Sequence, residues 1–288
     1  MKGIILAGGN GTRLRPSTLV VGKQLLPVFD KPMIYYPLST LIHAGVHEIL
    51  IISTPHEMIN FKKLLSDGNE LGISIYYVAQ NRPDGIPQGI SLAKDFLNGE
   101  NFWFILGDNL FHGPQFGKQL KSFNQFQGVQ IFGYRVKDPS AYGIAYFEHN
   151  SDKILKIVEK PVDGLSNWAI PGLYYFDYSA LLKFDSLVPS PRGELEIVDL
   201  LNMYLREDKL KLQKISRGNA WFDLGTPENL LAASTFVESI QTRQGLLVGS
   251  PEEAAYNAGL ISREELQAAV SKLESCSYAK ALDLAIDW

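Results

Sequence analysis

The chain opens with a short apolar run that leads directly into a glycine-rich loop, and this stretch constrains the fold more than any other. Ile4, Ile5 and Leu6 are followed by glycines at positions 8, 9 and 11. A run of this length is typical of a buried strand, and glycine lets backbone N–H groups turn toward an anion. A tight turn without a ligand is the alternative. We expect a strand that ends at a polyphosphate-binding loop.

Two cations follow the glycines. Arg13 can place a bidentate guanidinium on phosphate oxygens, and Lys23 supplies a compact ammonium. The loop differs from both common nucleotide-binding loops. A dinucleotide-binding fingerprint needs a third glycine where Leu14 stands, and a P-loop needs a hydroxyl residue where Gln24 stands. The sequence therefore indicates a polyphosphate site of another kind.

Composition excludes several classes of protein. The chain has 288 residues, of which 45% are hydrophobic, and a formal net charge of −4. This charge provides no basic field for nucleic acid or an anionic membrane, so we expect neither as a partner. Cys276 is the only cysteine, which excludes an intramolecular disulfide and favours a cytoplasmic location. The apolar run at the N-terminus is too short for a signal peptide, and no segment is long enough to span a membrane.

Strand-like runs alternate with segments of helical spacing through the first half of the chain. The strand-like runs cover residues 2–6, 48–52, 74–78, 101–106 and 129–134. This alternation is typical of a three-layer α/β domain with a mostly parallel sheet.

The pattern changes after about residue 142. Residues 143–148 and 154–159 are candidates for paired strands, and another strand-like run covers 169–176. A helix is predicted over 227–240, with Thr226 as its N-cap and proline at its first position.

The C-terminal region is predicted to be helical. Ser250 and Ser262 are each followed by glutamates in the pattern of a helix start, and Gly259 separates the two segments. The simplest role for these helices is to cover apolar surface of the main domain.

Asp108 has the position of a metal ligand. It follows the apolar run 102–106 through Gly107, which places its carboxylate at the carboxyl end of a parallel strand, where open α/β sheets bind ligands. An aspartate after a strand is also a common turn residue, so a metal site needs a second carboxylate. Asp223, which follows Trp221-Phe222, is the candidate.

Several motifs occur in one order along the chain and together carry a resemblance. The chain is similar to the sugar-phosphate nucleotidyltransferases from Lys2 to about Tyr278. The motifs are G-G-x-G-T-R-L-x-P over 8–16, K-x-L-L-P over 23–27, K-P-M-I-Y-Y-P-L-S over 31–39, L-G-D-N over 106–109, E-K-P over 159–161, R-G-E-L-E-I over 192–197 and W-F-D-L-G-T over 221–226.

The resemblance implies a fold and a reaction. The fold would be a three-layer, Rossmann-like nucleotidyltransferase fold with a C-terminal helical appendage. The reaction would join dTTP to glucose 1-phosphate and yield dTDP-glucose and pyrophosphate, by in-line attack of the sugar phosphate on the α-phosphorus. Mg²⁺ would be the cofactor, held by Asp108 and Asp223.

The resemblance also implies a role for individual residues. Arg13, Lys23 and Asp108 would act in catalysis. The nucleotide would contact Gly8, Gly11, Thr12, Arg13, Lys23, Gln24, Gln80, Gly85 and Asp108, with Gln80 and Gly85 at the base. The sugar phosphate would contact Asn109, Gly143, Glu159, Lys160 and Arg192.

A division into domains follows from the same likeness. Residues 1–240 would form the catalytic domain, with a nucleotide half over about 1–135 and a sugar-phosphate half over about 136–240. Residues 241–288 would be an extension that supports a homotetramer and feedback inhibition by a downstream dTDP-sugar. Removal of the residues after Thr242 would then leave the chemistry and abolish the inhibition.

Other functions remain open at this level. An enzyme of the same kind could prefer UTP or another hexose 1-phosphate, since one methyl group in an apolar pocket discriminates by only about 1–3 kcal/mol. A non-catalytic sensor of nucleotide sugars is a hypothesis of another class. A sensor would be expected to lack a charged catalytic residue, whereas Arg13, Lys23, Asp108 and Asp223 are all present. A nicotinamide-dependent oxidoreductase is disfavoured by the broken fingerprint.

Overall fold

The computed structural model describes residues 1–81, 85–114, 116–190 and 193–286. Its strands are β1 Lys2–Leu6, β2 Pro27–Val28, β3 Lys31–Pro32, β4 Glu48–Ser53, β5 Ser74–Ala79, β6 Phe102–Leu106, β7 Asn109–His112, β8 Val129–Arg135, β9 Gly143–Phe147, β10 Ile154–Glu159, β11 Trp168–Ala169, β12 Leu173–Phe176, β13 Leu210–Lys214 and β14 Ala220–Asp223. Its helices are α1 Tyr35–His43, α2 Pro55–Leu65, α3 Ile86–Leu92, α4 Lys94–Leu97, α5 Phe116–Lys121, α6 Ser179–Phe184, α7 Ile197–Arg206, α8 Pro227–Gln244, α9 Pro251–Asn257, α10 Arg263–Lys272 and α11 Ser277–Ala285.

One large sheet forms the middle layer. Its strand order is β10-β9-β11-β8-β12-β6-β1-β4-β5, and β13 joins it by pairing with β8. β1 lies between β4 and β6 and is parallel to both, and β5 is parallel to β4. Within this sheet, β10, β11 and β12 are the described strands that run against the common direction. The predicted α/β fold with a mostly parallel sheet is confirmed.

Alternate side chains of the central strands enter two different cores. Ile5 and Trp103 point into a core shared with α1, whereas Ile4 and Phe104 point into a core shared with α3 and α7. All four side chains are completely buried. Burial of a side chain of this size stabilises a fold by about 1.5–3 kcal/mol, so helices on both faces are needed to cover the sheet.

The run over 169–176 is two strands rather than one. β11 pairs with β8 and β9, whereas β12 pairs with β6 and β8. The break falls at Pro171, which has no N–H to donate to a neighbouring strand. Gly172 follows, and an added Cβ there would lie 2.5 Å from a carbon of Leu106. The chain therefore crosses closely over the end of β6 before it enters β12.

The predicted helix starts near the C-terminus are confirmed. Thr226 and Ser250 accept hydrogen bonds from backbone N–H groups three residues further along, and Ser262 forms a complete capping box with Glu265. The last three helices contribute buried side chains to the same core as β1 and α1, namely Ala254, Ala255, Leu266, Tyr278 and Leu282. Among the described residues, no helix is both long enough and apolar enough to cross a membrane.

Candidate active site

The glycine loop and Asp108 follow two adjacent strands that end at the same edge of the sheet. β1 and β6 are parallel and in register, with Leu6 opposite Leu106. The N–H of Gly107 donates to the carbonyl of Leu6 at 2.9 Å, just past the ends of both strands. The glycine loop after β1 and the carboxylate of Asp108 after β6 are therefore neighbours, as the sequence predicted.

Lys23 and Asp108 form an ion pair at this edge. The ammonium of Lys23 donates to Oδ2 of Asp108, and the Lys23 residue is only 9% exposed. Nδ2 of Asn109 donates to the other carboxylate oxygen, Oδ1, at 3.0 Å. Because both oxygens of Asp108 have a donor, its carboxylate is held in one orientation.

Asp223 joins this pair from a distant part of the sequence. β14 is antiparallel to β7, which places Asp223 opposite Asn109, and the N–H of Leu224 donates to the carbonyl of Asp108 at 2.9 Å. Burial raises the pKa of Asp223, and the negative charge of Asp108 raises it further. The cations Lys23 and Arg13 lower that pKa. The four charged candidates therefore share one electrostatic environment.

The carboxylates of Asp108 and Asp223 suit a divalent cation. Within the described residues, no group of three or more histidine, cysteine, aspartate or glutamate side chains could hold a metal. Mg²⁺ commonly takes only one or two protein carboxylates and completes its shell with water and substrate phosphate oxygens. Asp108 and Asp223 supply that donor set next to the glycine loop.

The glycine loop lines a small polar cavity of about 180 Å³. An anion placed there would meet backbone N–H groups together with Arg13 and Lys23. The lining residues are Gly8, Gly9, Gly11, Thr12, Arg13, Lys23, Gln24, Asp108 and Gly225.

A second cavity of about 230 Å³ adjoins the first. Arg13 and Asp108 line both cavities. The polar and aromatic residues that line the second are Arg13, Asp108, Asn109, Tyr142, Glu159, Lys160, Tyr174, Trp221 and Asp223. The charged cluster therefore lies at the junction of two cavities, each large enough for part of a substrate.

The E-K-P motif lies at the wall of the second cavity. Lys160 adopts a left-handed conformation with φ of 46° just after β10, and its N–H donates to the carbonyl of Tyr142 at 2.9 Å. Its ammonium is 3.6 Å from Oε1 of Glu159. An added Cβ on Gly143 would lie 3.3 Å from Oε2 of Glu159, so the glycine leaves space beside this carboxylate.

Gln80 and Gly85 lie close to other backbone segments. Gln80 is 4% exposed, and its Nε2 donates to Oε1 of Gln88 at 2.6 Å. A Cβ on Gly8 would lie 2.3 Å from Oε1 of Gln80, so Gln80 packs directly against the glycine loop. Gly85 has φ of 110°, and an added Cβ would lie 2.2 Å from the carbonyl oxygen of Leu195. Their contact with a base stays a prediction, and Arg192 lies outside the described residues.

Asn109 is engaged within the protein. It is 2% exposed, and its Oδ1 accepts hydrogen bonds from Nε1 of Trp221 at 2.7 Å and from the N–H of Gly172 at 3.0 Å. The amide links β7, β14 and the residue just before β12 while it orients Asp108. Its contact with the sugar phosphate also stays a prediction, and orientation of Asp108 is a role that the sequence did not indicate.

Sequence reasoning missed other residues of the cluster. Tyr142 packs edge-on against Trp221 at 5.1 Å between ring centroids, and both rings line the second cavity. Nδ2 of Asn229 donates to the carbonyl of Asp223 at 2.8 Å. Gly225 contacts Arg13 and lines the first cavity. Trp221 and Gly225 lie within the W-F-D-L-G-T motif, which was the available signal.

Comparison with known sequences identifies the family. The model of the nucleotidyl transferase family matches residues 2–240. The chain belongs to the nucleotidyl transferase family. This nucleotidyl transferase is 49% identical over 282 residues to a glucose-1-phosphate thymidylyltransferase of Xanthomonas campestris pv. campestris (strain B100), a match that covers 98% of this chain and 95% of the relative. It is 44% identical over 282 residues to the enzyme of that name from Mycobacterium tuberculosis (strain H37Rv), with 98% of each chain covered.

Solved structures agree with this membership. A Bacillus anthracis protein named as a candidate glucose-1-phosphate thymidylyltransferase, solved with a sucrose, is 37% identical and aligns with a TM-score of 0.75 over 82% of this chain and 94% of its own. A UDP-glucose pyrophosphorylase solved with UDP-glucose aligns with a TM-score of 0.72 at 24% identity, over 83% of this chain and 98% of its own. The second likeness shows a shared fold.

Proposed function

We propose that this nucleotidyl transferase transfers a thymidylyl group from dTTP to glucose 1-phosphate and releases pyrophosphate. The observation that carries the proposal is the pair of cavities that meet at Arg13 and Asp108. The first has the backbone donors and cations that suit a triphosphate, and the second has the aromatic rings and carboxylate that suit a sugar. The relatives at 44–49% identity supply the names of the two substrates.

The proposed reaction is an in-line displacement at phosphorus. A phosphate oxygen of glucose 1-phosphate forms a bond to the α-phosphorus, while the bond from that phosphorus to the bridging oxygen of the β-phosphate breaks. The electron pair leaves with pyrophosphate. Repulsion between the anions is the main obstacle, so fixed cations and correct placement do most of the work.

The residues of the cluster have distinct tasks in this proposal. Arg13 borders both cavities and neutralises charge where the two substrates meet. Lys23 neutralises the departing pyrophosphate. Asp108 and Asp223 hold Mg²⁺, which when bound polarises phosphate oxygens and offsets their charge. Glu159 accepts hydrogen bonds from sugar hydroxyls, and Lys160 pairs with the sugar phosphate.

Removal of either carboxylate charge tests the proposal. Asp108→Asn and Asp223→Asn are expected to lower pyrophosphate release from dTTP and glucose 1-phosphate by about 100-fold or more, because electrostatic groups of this kind contribute that much. Asp152→Asn is the matched control, since its carboxylate is 88% exposed and pairs only with Lys214 among the described ion pairs. Wild-type, metal-dependent rates in both cluster variants would refute the metal assignment.

A competition assay tests the choice of base. With one sugar phosphate present, dTTP and UTP are mixed and the two nucleotide sugars are separated and counted. An excess of dTDP-glucose is expected, and a product ratio that favours UDP-glucose would contradict the proposal.

Regulation and assembly complete the proposal. We place feedback inhibition at a cavity of about 320 Å³ that the extension forms with α1 and α5. Its lining includes His43, His112, Ser250, Glu253 and Asn257. Inhibition by a dTDP-sugar that persists unchanged in Asn257→Ala and in Ser250→Ala would place regulation elsewhere.

We also propose a homotetramer, which sedimentation would test, and a cytoplasmic location, which the single cysteine supports.

A further inference from the structure

Lys31 is a buried lysine outside both cavities. The side chain is 1% exposed, and its ammonium pairs with Oδ1 of Asp30 at 2.5 Å. The ammonium also lies 5.2 Å from the ring centroid of Tyr36 and 5.2 Å from that of Tyr278. Two aromatic faces and one carboxylate therefore enclose the charge. Removal of one partner would leave a buried charge uncompensated, so the segments that supply these partners are energetically coupled.

Two further connections of Lys31 lead to the C-terminal part of the chain. Nζ donates to Oε1 of Gln241 near the end of α8 at 3.0 Å, and Nε2 of Gln241 donates to Oδ2 of Asp30 at 2.8 Å. The hydroxyl of Tyr278 on α11 donates to Oε2 of Glu252 on α9 at 2.5 Å. Lys31 thus contacts α8 and α11 directly from the hairpin of β2 and β3, and the Tyr278 hydroxyl extends the connection to α9.

The same hairpin supports the turn that carries Lys23. The N–H of Ile34 donates to the carbonyl of Gln24 at 2.9 Å, and the N–H of Met33 donates to the carbonyl of Leu26 at 2.9 Å. These bonds join the residues just after β3 to the turn Lys23–Leu25 and to Leu26, which follows it. The turn between β2 and β3 holds Phe29 at φ of 60°, a strained conformation for a bulky residue, and Ser234 of α8 accepts a hydrogen bond from its N–H at 3.3 Å.

We propose that Lys31 is a positioning residue through which the C-terminal helices hold Lys23 in place for pyrophosphate departure. The path runs from Tyr278 and Gln241 to the Lys31 ammonium, along β3, and through the hydrogen bonds of Ile34 and Met33 to the Lys23 turn. The kinetic part of this proposal rests on the proposed function. The structural part is independent of it.

The test compares two buried lysines. Lys31→Met leaves the carboxylate of Asp30 without its partner, so the double variant Lys31→Met with Asp30→Asn removes both charges together. Lys2→Met is the matched control. Lys2 is 7% exposed, pairs with Glu100 at 2.9 Å and lies over the ring of Phe96, but at the opposite end of β1 from the glycine loop.

Kinetics give the first readout. The double variant is expected to lower kcat by about 10-fold to 100-fold, because small misplacement of a catalytic group costs that much, with KM for glucose 1-phosphate changed less than about twofold. Lys31→Arg is expected to recover part of kcat. Lys2→Met is expected to lose thermal stability with kcat unchanged. An equal kcat in the double variant and the control would overturn the proposal.

Hydrogen exchange of the full-length protein gives the second readout, which needs no activity. Exchange of backbone amides over residues 23–34 is expected to accelerate in the double variant and to stay at the wild-type rate in Lys2→Met. Unchanged exchange over 23–34 would overturn the structural part. Faster exchange together with absence of thymidylyl transfer in the wild type would instead refute the proposed function alone.

Discussion

Gly225 lies between Arg13 and Asp223, and its lack of a side chain leaves room for the guanidinium. An added Cβ would be 2.5 Å from Nη2 of Arg13 and 2.9 Å from Oδ1 of Asp223. Both distances are too short for real contacts, so any side chain at this position would displace the charged groups.

We therefore predict that Gly225→Ala lowers kcat/KM for dTTP by about 10-fold to 100-fold, because Arg13 must move from the junction of the cavities. Steady-state kinetics measure the effect. Gly133→Ala in β8 is the control, since its added methyl group would meet Leu212 at 3.0 Å and no charged group. Equal kinetic losses in the two variants would show that crowding alone is responsible.

The carboxylate of Glu253, which feels the charge of Lys31, gives a prediction for the pH dependence of stability. Burial raises the pKa of Glu253 from its ordinary value of 4.5 to about 7, although Lys31 acts in the opposite direction. Between pH 4.5 and about pH 7, the carboxyl group of Glu253 keeps its proton in the folded protein but has lost it in the unfolded chain. The free energy of unfolding should therefore fall as pH rises from about 4.5 to 7, by about 1–3 kcal/mol from this group.

Glu253→Gln removes that contribution. Chemical denaturation at pH 5 and pH 8 is expected to show a smaller loss of stability toward high pH in the variant than in the wild type. Glu274→Gln, at an exposed position, is the control and should retain the wild-type dependence. Identical pH profiles for Glu253→Gln and the wild type would contradict the assigned cause.

At the scale of elements, β14 ends at Asp223 and α8 begins at Pro227 after a short connection. Oγ1 of Thr226 accepts a hydrogen bond from the N–H of Asn229 at 3.3 Å, and Pro227 occupies the first helical position. The local sequence thus defines where β14 ends and α8 starts.

We predict that Thr226→Ala lowers the free energy of unfolding by about 1 kcal/mol, because an N–H of the first turn loses its acceptor. Urea denaturation measures the loss. Thr226→Ser keeps the hydroxyl and is expected to retain most of the stability. A loss of equal size in the serine variant would assign the effect to the methyl group of threonine.

At the scale of the whole molecule, the C-terminal helices share the core of the catalytic part. Ala255 and Leu282 are completely buried in the same cluster as Ile5 and Leu38. The expectation that the chain can lose all residues after Thr242 and keep its chemistry conflicts with this shared core.

We predict that truncation after Thr242 lowers the free energy of unfolding by several kcal/mol, since each fully buried large apolar side chain contributes about 1.5–3 kcal/mol. Thermal unfolding and soluble yield measure the effect. A truncated protein that unfolds cooperatively at the wild-type temperature would show that the extension is an independent unit.

Short-range patterns of residues are sufficient to predict the local features of this protein. Glycines after an apolar run predicted the loop after β1, alternation of runs predicted the α/β sheet, and hydroxyl residues before glutamates or proline predicted the caps of α8, α9 and α10. Each of these depends on residues that are close along the chain, so a local pattern is sufficient to identify it.

The contacts between distant segments follow from packing and were not predictable from local patterns. The pairing of β7 with β14 brings Asp223 close to Asp108. Pro171 and Gly172 divide one apolar run into two strands with different neighbours. Lys31 is buried between the rings of Tyr36 and Tyr278. These arrangements depend on which surfaces pack together, and the chain encodes them through many weak contacts spread over its whole length. A charged residue such as Lys31 carries no local sign that it will be buried.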